Sequence, residues 1–126
     1  MTETVEYIDA TEIVESDKYI LGDGFGVDAN GNDTHLVMSK QEIMDMKTSE
    51  LTNAFIDSVS SQGIVHPIAA TYAMRQDEND KWVRNGQIII RDGHHRLAAA
   101  YLLNQKVPVI MNRYFNSPIE DLPYCN

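Results

Sequence analysis

The chain has 126 residues, of which 43% are hydrophobic, and its 10 basic and 19 acidic side chains give a net charge of −9. This length and apolar content predict a single globular domain over residues 1–126 that buries a core without disulfides, and they exclude a disordered tail. An acidic chain gains no counterion release from DNA, so we do not expect it to bind DNA on its own.

The charges are divided unevenly between the two halves of the chain. Residues 1–60 carry 13 acidic and 3 basic side chains, whereas residues 61–126 carry 6 acidic and 7 basic ones. The acidic half would suit a basic protein partner, although acids also simply keep a small surface soluble. The candidates for a compact basic patch are Arg84, Arg91 and Arg96.

The cysteine content indicates a reducing compartment, and the hydropathy argues against a membrane protein. Cys125 is the only cysteine, so no intramolecular disulfide can form. No run approaches 18 apolar residues, and the N-terminal residues are acidic where a signal peptide would be basic. We therefore expect a cytoplasmic protein that does not enter a membrane.

The N-terminal third of the chain is predicted to contain strands followed by a loop. Residues 5–8 alternate as a half-buried strand does, and the apolar residues at 13–14 and 19–21 continue this rhythm. Residues 22–34 are rich in glycine and aspartate, which predicts a flexible loop. Its stretch at 28–33 resembles a calcium loop, but the glycine is misplaced and Ser39 stands where the bidentate glutamate should be.

Two helices are predicted next. Ser39 and Glu42 have the spacing of a capping box, which predicts a helix over 40–47. Apolar residues at helical spacing predict a second helix over 50–62, which Gly63 would end in a left-handed conformation.

The next segment is predicted to consist of strands and turns. Residues 66–72 read as a strand, and the polar residues 76–80 form a turn into a short strand at 82–84. Asn85-Gly86 is a strong hairpin-turn dipeptide. The apolar run at 87–91 is typical of a strand buried on both faces.

A helix and a final strand complete the prediction. Apolar residues on one face predict a helix from His94 or His95 to Leu103, with Asn104 as its cap. Residues 107–111 read as a strand. Pro108 within it suggests either an edge strand or the start of a strand. These elements predict a mixed α+β fold with a small mixed sheet and flanking helices.

The segment between the buried strand and this helix has the composition of an anion site. Gly93 allows the backbone to turn sharply, and the start of the helix offers unpaired N–H groups with a partial positive charge. His94, His95 and Arg96 add side-chain donors, so phosphate oxygens are suitable ligands. Asp92 would orient an imidazole, hold Mg²⁺ through the phosphates or act as a base.

A purely structural interpretation of the same residues stays open. In it, Asp92 caps the helix, His95 packs and Arg96 pairs with the acidic half of the protein. Zinc binding by His94 and His95 is disfavoured, because adjacent helical residues point about 100° apart.

The blocks at 49–111 resemble the ParB/sulfiredoxin superfamily in their order and spacing. The resemblance rests on Ser49-Glu50-Leu51 with Ser58-Val59, Gln62-Gly63-Ile64-Val65-His66-Pro67-Ile68, Ile90-Arg91-Asp92-Gly93-His94-His95-Arg96-Leu97-Ala98-Ala99-Ala100 and Val107-Pro108-Val109. In that superfamily the glycine-led turn binds nucleotide phosphates. The resemblance therefore implies binding by Gly93, His94, His95 and Arg96, with Gln62, Gly63 and His66 on the facing loop.

Departures from the family pattern narrow the activities that the resemblance implies. Sulfiredoxins have a cysteine after the motif glycine, where this chain has His94, so sulfinic acid reduction is not expected. Partition proteins have Gly-Glu-Arg-Arg and further domains, for which the residues after Arg96 are too few. The Asp-Gly-His-His-Arg form looks more like stand-alone members, which include free-serine kinases and ParB-like nucleases.

These observations predict a nucleotide-binding protein that transfers a phosphoryl group or hydrolyses a nucleoside triphosphate. The expected ligand is ATP, ADP or CTP with Mg²⁺, or another phosphorylated small molecule. Arg96 and the Gly93 turn would hold phosphates, and Asp92, His94 and His95 would take catalytic roles. The alternatives are a non-catalytic acidic interaction module, such as a phage or plasmid accessory protein, and a ParB-like nuclease.

Overall fold

The computed structural model describes residues 5–22, 25–27, 33–37, 39–111 and 117–118. Cys125 and residues 28–32 of the calcium-like stretch lie outside these ranges. The helices of the described part are α1 (Ala10–Glu15), α2 (Lys40–Ser49), α3 (Asn53–Gln62) and α4 (His94–Leu102). Its strands are β1 (Val5–Asp9), β2 (Tyr19–Leu21), β3 (Phe25–Val27), β4 (Asp33–Val37), β5 (Ile68–Gln76), β6 (Trp82–Asp92), β7 (Lys106–Met111) and β8 (Ser117–Pro118).

Five strands form a mixed sheet in the order β1-β7-β5-β6-β2. The pairs β1–β7 and β5–β6 are antiparallel, whereas β5–β7 and β2–β6 are parallel. The short strand β8 pairs with β5, and β3 and β4 form a separate two-stranded sheet. The predicted mixed α+β class, with a small mixed sheet and flanking helices, is thus confirmed.

Helices α1, α2 and α4 supply the helical side of the main core. The buried cluster joins apolar side chains of these helices to the sheet, and α4 contributes Leu97, Ala98 and Ala100. Small alanines let α4 approach the strands closely, and each large aliphatic side chain buried here contributes about 1.5–3 kcal/mol. Among the described residues no helix is long and apolar enough to span a membrane.

The N-terminal segment contains a helix that the strand prediction missed. Ile13 and Val14 belong to α1, where they are buried together with Ala10. Positions 10, 13 and 14 follow helical spacing, but α1 has only six residues and two β-branched side chains at its centre. The predicted strands at 5–8 and 19–21 are confirmed as β1 and β2.

The prediction of an entirely irregular loop at 22–34 is wrong. Strands β3 and β4 pair in antiparallel fashion, so Phe25–Val27 and Asp33 belong to regular structure. The pattern was hard to detect because glycine and aspartate, which strands disfavour, dominate the segment.

The predicted helices of the middle segment are confirmed with shifted bounds. Ser39 and Glu42 form both bonds of the capping box, and α2 extends to Ser49. Helix α3 begins three residues later than expected, because the side chain of Thr52 caps it by accepting from Phe55 N. Gly63 ends α3 at φ 74° and ψ −171°, so its φ is positive but it lies outside the left-handed helical region.

The Asn-Gly dipeptide forms a bulge inside β6 where a hairpin turn was predicted. Tyr72 pairs with Ile88 and Met74 pairs with Arg84. An advance of two residues along β5 therefore corresponds to four residues along β6. Gly86 takes φ 92° within the bulge. The chain reverses at 77–81, which confirms the turn predicted at 76–80, and Asp77 accepts bonds there from the amides of Asn79 and Lys81.

The expectation that Pro108 marks a sheet edge is also wrong. Strand β7 lies between β1 and β5. Pro108 pairs with Tyr7 of β1, and the ladder with β5 begins only at Val109. The missing proline N–H therefore falls before the second ladder begins.

Lys40 joins the first two helices through a part-buried ammonium group. Its Nζ donates to the carbonyl oxygens of Ile13 at 2.8 Å and Ser16 at 2.6 Å, at the C-terminal end of α1. Burial lowers the pKa of Lys40, and Asp17 partly offsets this effect. The ammonium group thus occupies a site where carbonyl oxygens replace lost water.

We expect Lys40→Met to lower the free energy of unfolding by about 1–3 kcal/mol, because two carbonyl oxygens lose a charged donor. Urea denaturation of the purified protein measures this change. Lys81→Met, at an exposed lysine of the 77–81 turn, is the matched control and should stay close to wild type. Equal stability of the two variants would show that the Lys40 bonds contribute nothing.

Candidate functional site

Gly93 is the tight turn between β6 and α4 that the sequence predicted. It is the N-cap of α4, at φ 94° and ψ 26°. A Cβ atom at this position would lie 2.5 Å from Ile68 Cγ2 and 3.1 Å from Arg96 Nη2. Both the backbone conformation and the close approach to β5 therefore require glycine.

The start of α4 has no side-chain cap. Asp92, which the structural interpretation made the cap, is instead the last residue of β6, and its side chain is 79% exposed. Its Oδ2 lies 3.4 Å from Arg96 Nη2, which makes a weak ion pair. Because no side chain occupies the end of the helix, its first-turn N–H groups and partial positive charge can act on an external anion.

Arg96 holds the loop between α3 and β5 against α4. Its Nη1 donates to the carbonyl oxygens of His66 at 3.1 Å and Pro67 at 2.8 Å. A quarter of the side chain remains exposed. The guanidinium group is therefore first a positioning group for the loop, and only its remaining N–H donors could reach a ligand.

His95 and Glu50 form a pair at the exposed side of the same helix start. His95 Nε2 lies 3.2 Å from Glu50 Oε2, and both side chains are about half exposed, at 47% and 50%. Glu50 is the C-cap of α2. Glu50 lies 45 residues before His95, so no local pattern in the sequence predicts that the two side chains pair.

The two adjacent imidazoles lie in different environments. His94 is only 4% exposed, whereas His95 faces solvent. The structural interpretation in which His95 packs is thus wrong, since the packed residue is His94. Of the predicted catalytic residues, Asp92 and His95 are accessible to a ligand in solution.

A cavity of about 240 Å³ opens beside the start of α4. One part of its lining consists of three polar or charged residues and a glycine, namely Ser58, His66, Arg96 and Gly63. Phe55, Val59, Ile64 and Val65 form its apolar wall. The structure thus joins Gly63, His66 and Arg96 in one cavity, while the exposed Gln62 at the end of α3 does not line it.

The three arginines considered for a basic patch differ in position and contacts. Arg96 is at the start of α4, Arg84 is at the far end of β6, and Arg91 donates through Nε to Thr71 Oγ1 at 3.0 Å. The Nη1 and Nη2 atoms of Arg91 are buried without a hydrogen-bond partner in the structure. Within the described ranges no group of three or more histidine, cysteine or acidic side chains is placed to hold a metal ion.

No protein-family model matches this chain, and no curated protein is significantly similar to it in sequence. The site is therefore described from its own residues and geometry.

Alanine at Gly93 should destabilise the fold more than alanine at Gly86. Both glycines have positive φ, which costs an L-residue about 1–2 kcal/mol. A Cβ atom at Gly86 meets nothing within 4 Å, whereas one at Gly93 collides with Ile68. We expect Gly93→Ala to cost roughly 2–4 kcal/mol in total and Gly86→Ala about 1 kcal/mol, as measured by urea denaturation. Equal losses would show that the close approach of Gly93 to Ile68 is not a constraint.

Proposed function

We propose that this chain is a nucleotide-binding protein of the ParB/sulfiredoxin type, which holds phosphate groups at the start of α4 and transfers or hydrolyses a phosphoryl group. The observation that carries the proposal is the cavity beside the uncapped helix start, with Arg96 in its wall. An uncapped helix start favours phosphate oxygens, and an adjacent apolar wall suits a nucleoside.

The order of the elements supports the resemblance to the superfamily. Helix α3 ends at Gly63, β5 follows the Pro67 position, β6 leads into Gly93, and α4 is followed by β7. These are the elements expected from the blocks that carry the resemblance. Arg96 also joins two of the blocks, because it belongs to the second and bonds to carbonyl groups of the first.

His95 and Glu50 supply a possible acid–base pair for the reaction. If His95 donates Nε2–H to Glu50, its Nδ1 has a free lone pair and can accept the proton of an attacking hydroxyl group or water. The oxygen then bonds to the terminal phosphorus as the bond to the leaving phosphate oxygen breaks. The partial positive charge of the helix start would stabilise the charge on the transferred group.

Asp92 could hold Mg²⁺ together with the phosphates. Mg²⁺ commonly binds one or two carboxylates, phosphate oxygens and several waters, and the exposed Asp92 side chain can supply one carboxylate. The ion would neutralise phosphate charge beside Asp92 and Glu50.

The binding site is tested by placing a negative charge at the helix start. In His95→Glu the new carboxylate repels phosphate, while an acidic residue in the first turn is compatible with the helix dipole. We expect calorimetry with ATP, ADP and CTP, each with and without Mg²⁺, to show affinity reduced by at least about tenfold relative to wild type. His95→Gln, which removes the imidazole without adding charge, is the control and should bind more tightly than His95→Glu.

Unchanged affinity in His95→Glu would rule out phosphate binding at the start of α4. The absence of binding by the wild-type protein to every nucleotide tested would contradict the proposed function itself. If the wild-type protein binds no nucleotide but binds a basic protein in a salt-sensitive way, the interaction module is favoured. If it cleaves DNA, the nuclease is favoured.

The acid–base pair is tested separately by turnover. Glu50→Gln removes the carboxylate that orients His95 but adds no charge near the phosphates. We expect kcat to fall by about 10²-fold while nucleotide affinity stays near wild type, and measurement of released or transferred phosphate checks this. Glu42→Gln alters an exposed carboxylate of the α2 capping box and is the matched control. A normal kcat in Glu50→Gln would remove the pair from the mechanism.

A further inference from the structure

A second pocket lies on the sheet, away from the start of α4. It has a volume of about 290 Å³, and residues of all five strands of the main sheet line it. Its floor includes Ile8, Ile88 and Met111, which are partly buried and pack against the main core. The pocket therefore continues the core surface beyond the area that the helices cover.

Two positively charged side chains line this pocket. Arg84 Cζ lies 3.6 Å from the centre of the Tyr72 ring, and Lys18 Nζ lies 5.7 Å from the centre of the Tyr19 ring. Both side chains line the pocket, and in the described part of the chain neither has an ion-pair partner. Stacking on Tyr72 uses the face of the guanidinium group, so its in-plane N–H donors remain open to a ligand.

The bulge in β6 positions residues that line this pocket. Gln87 N donates to Asn85 Oδ1 at 2.8 Å, which fixes the shape of the bulge next to Arg84. Gln87 Nε2 donates to Asp17 O at 2.9 Å, and Ile88 N donates to Lys18 O at 2.9 Å. The same bulge thus holds the Lys18 segment beside Arg84, as bulges often do when they direct side chains at functional sites.

One carboxylate also lines the pocket. Glu6 of β1 lines the pocket. The pKa of Tyr19 is raised first by burial, then by the carboxylate of Glu12, and least by the carboxylate of Glu6. Tyr19 therefore stays a neutral phenol at physiological pH. An anionic group in this pocket is therefore favoured next to Lys18 and Arg84 and disfavoured next to Glu6.

We propose that this pocket binds a small organic anion with a flat apolar body. The anionic oxygens would contact Lys18 and the in-plane N–H groups of Arg84, and the body would lie over the apolar floor between Ile88 and Met111. This pocket is separated from the start of α4 by the strand that runs from Ile88 to Gly93, which covers five residues or roughly 16 Å. One small ligand cannot occupy both sites, so this binding does not depend on the proposed function.

The experiment is an NMR titration of the ¹⁵N-labelled protein with 2-naphthoate, an aromatic carboxylate. The expected shifts are at the amides of Tyr72, Arg84, Gly86 and Ile88. The neutral analogue 2-naphthamide should bind at least about tenfold more weakly, because it lacks the charge that Lys18 and Arg84 recognise.

Variants separate charge recognition from apolar contact. Arg84→Gln and Lys18→Gln should each weaken naphthoate binding about tenfold, and Glu6→Gln should strengthen it. Arg75→Gln, at an exposed arginine of β5 outside the pocket lining, is the matched control and should bind as wild type does.

Three results would overturn the proposal. These are the absence of shifts at the pocket amides, equal binding of 2-naphthamide, and equal weakening by Arg75→Gln and Arg84→Gln. Two-dimensional spectra of each variant without ligand show whether it is folded, so a folding defect is distinguished from a loss of binding.

Discussion

The close packing of Gly93 on Ile68 is the constraint on which the α4 site depends. The glycine lets β6 turn into α4 with no Cβ between the turn and the first residue of β5. Because α4 begins directly above the start of β5, the Arg96 side chain reaches the carbonyl groups of His66 and Pro67. One backbone position thus aligns the helix start, the loop after α3 and the cavity between them.

Local signals predicted those elements whose ends are set by neighbouring residues. The capping box at Ser39, the positive φ at Gly63 and the glycine before His94 act within a few residues, so their sequence patterns describe the structure well. Elements that depend on distant partners were predicted less well. Helix α1 is short and is stabilised by core contacts and by Lys40, and the Asn-Gly pair became a bulge because β5 continues past it.

The same division applies to the α4 site. The motif residues 92–96 are adjacent in sequence, so the glycine turn, the helix start and the basic side chains beside it could be predicted together. The roles of individual side chains could not, because they depend on partners 29 to 45 residues away. Arg96 donates two hydrogen bonds to backbone carbonyl groups. The exposed His95 pairs with Glu50, a contact that no local pattern predicts.

The acidic composition of the chain does not describe the potential at its pockets. A net charge of −9 argues against an anionic ligand when it is treated as an average. At about 8–10 Å the effect of an exposed charge is largely screened, so the groups lining each pocket decide its preference. The pocket on the sheet is lined by Lys18, Arg84 and Glu6, and the α4 site combines a helix start and Arg96 with Asp92 and Glu50. Each proposed site therefore combines cationic donors with at least one nearby carboxylate, and the position of a bound anion would depend on this local balance.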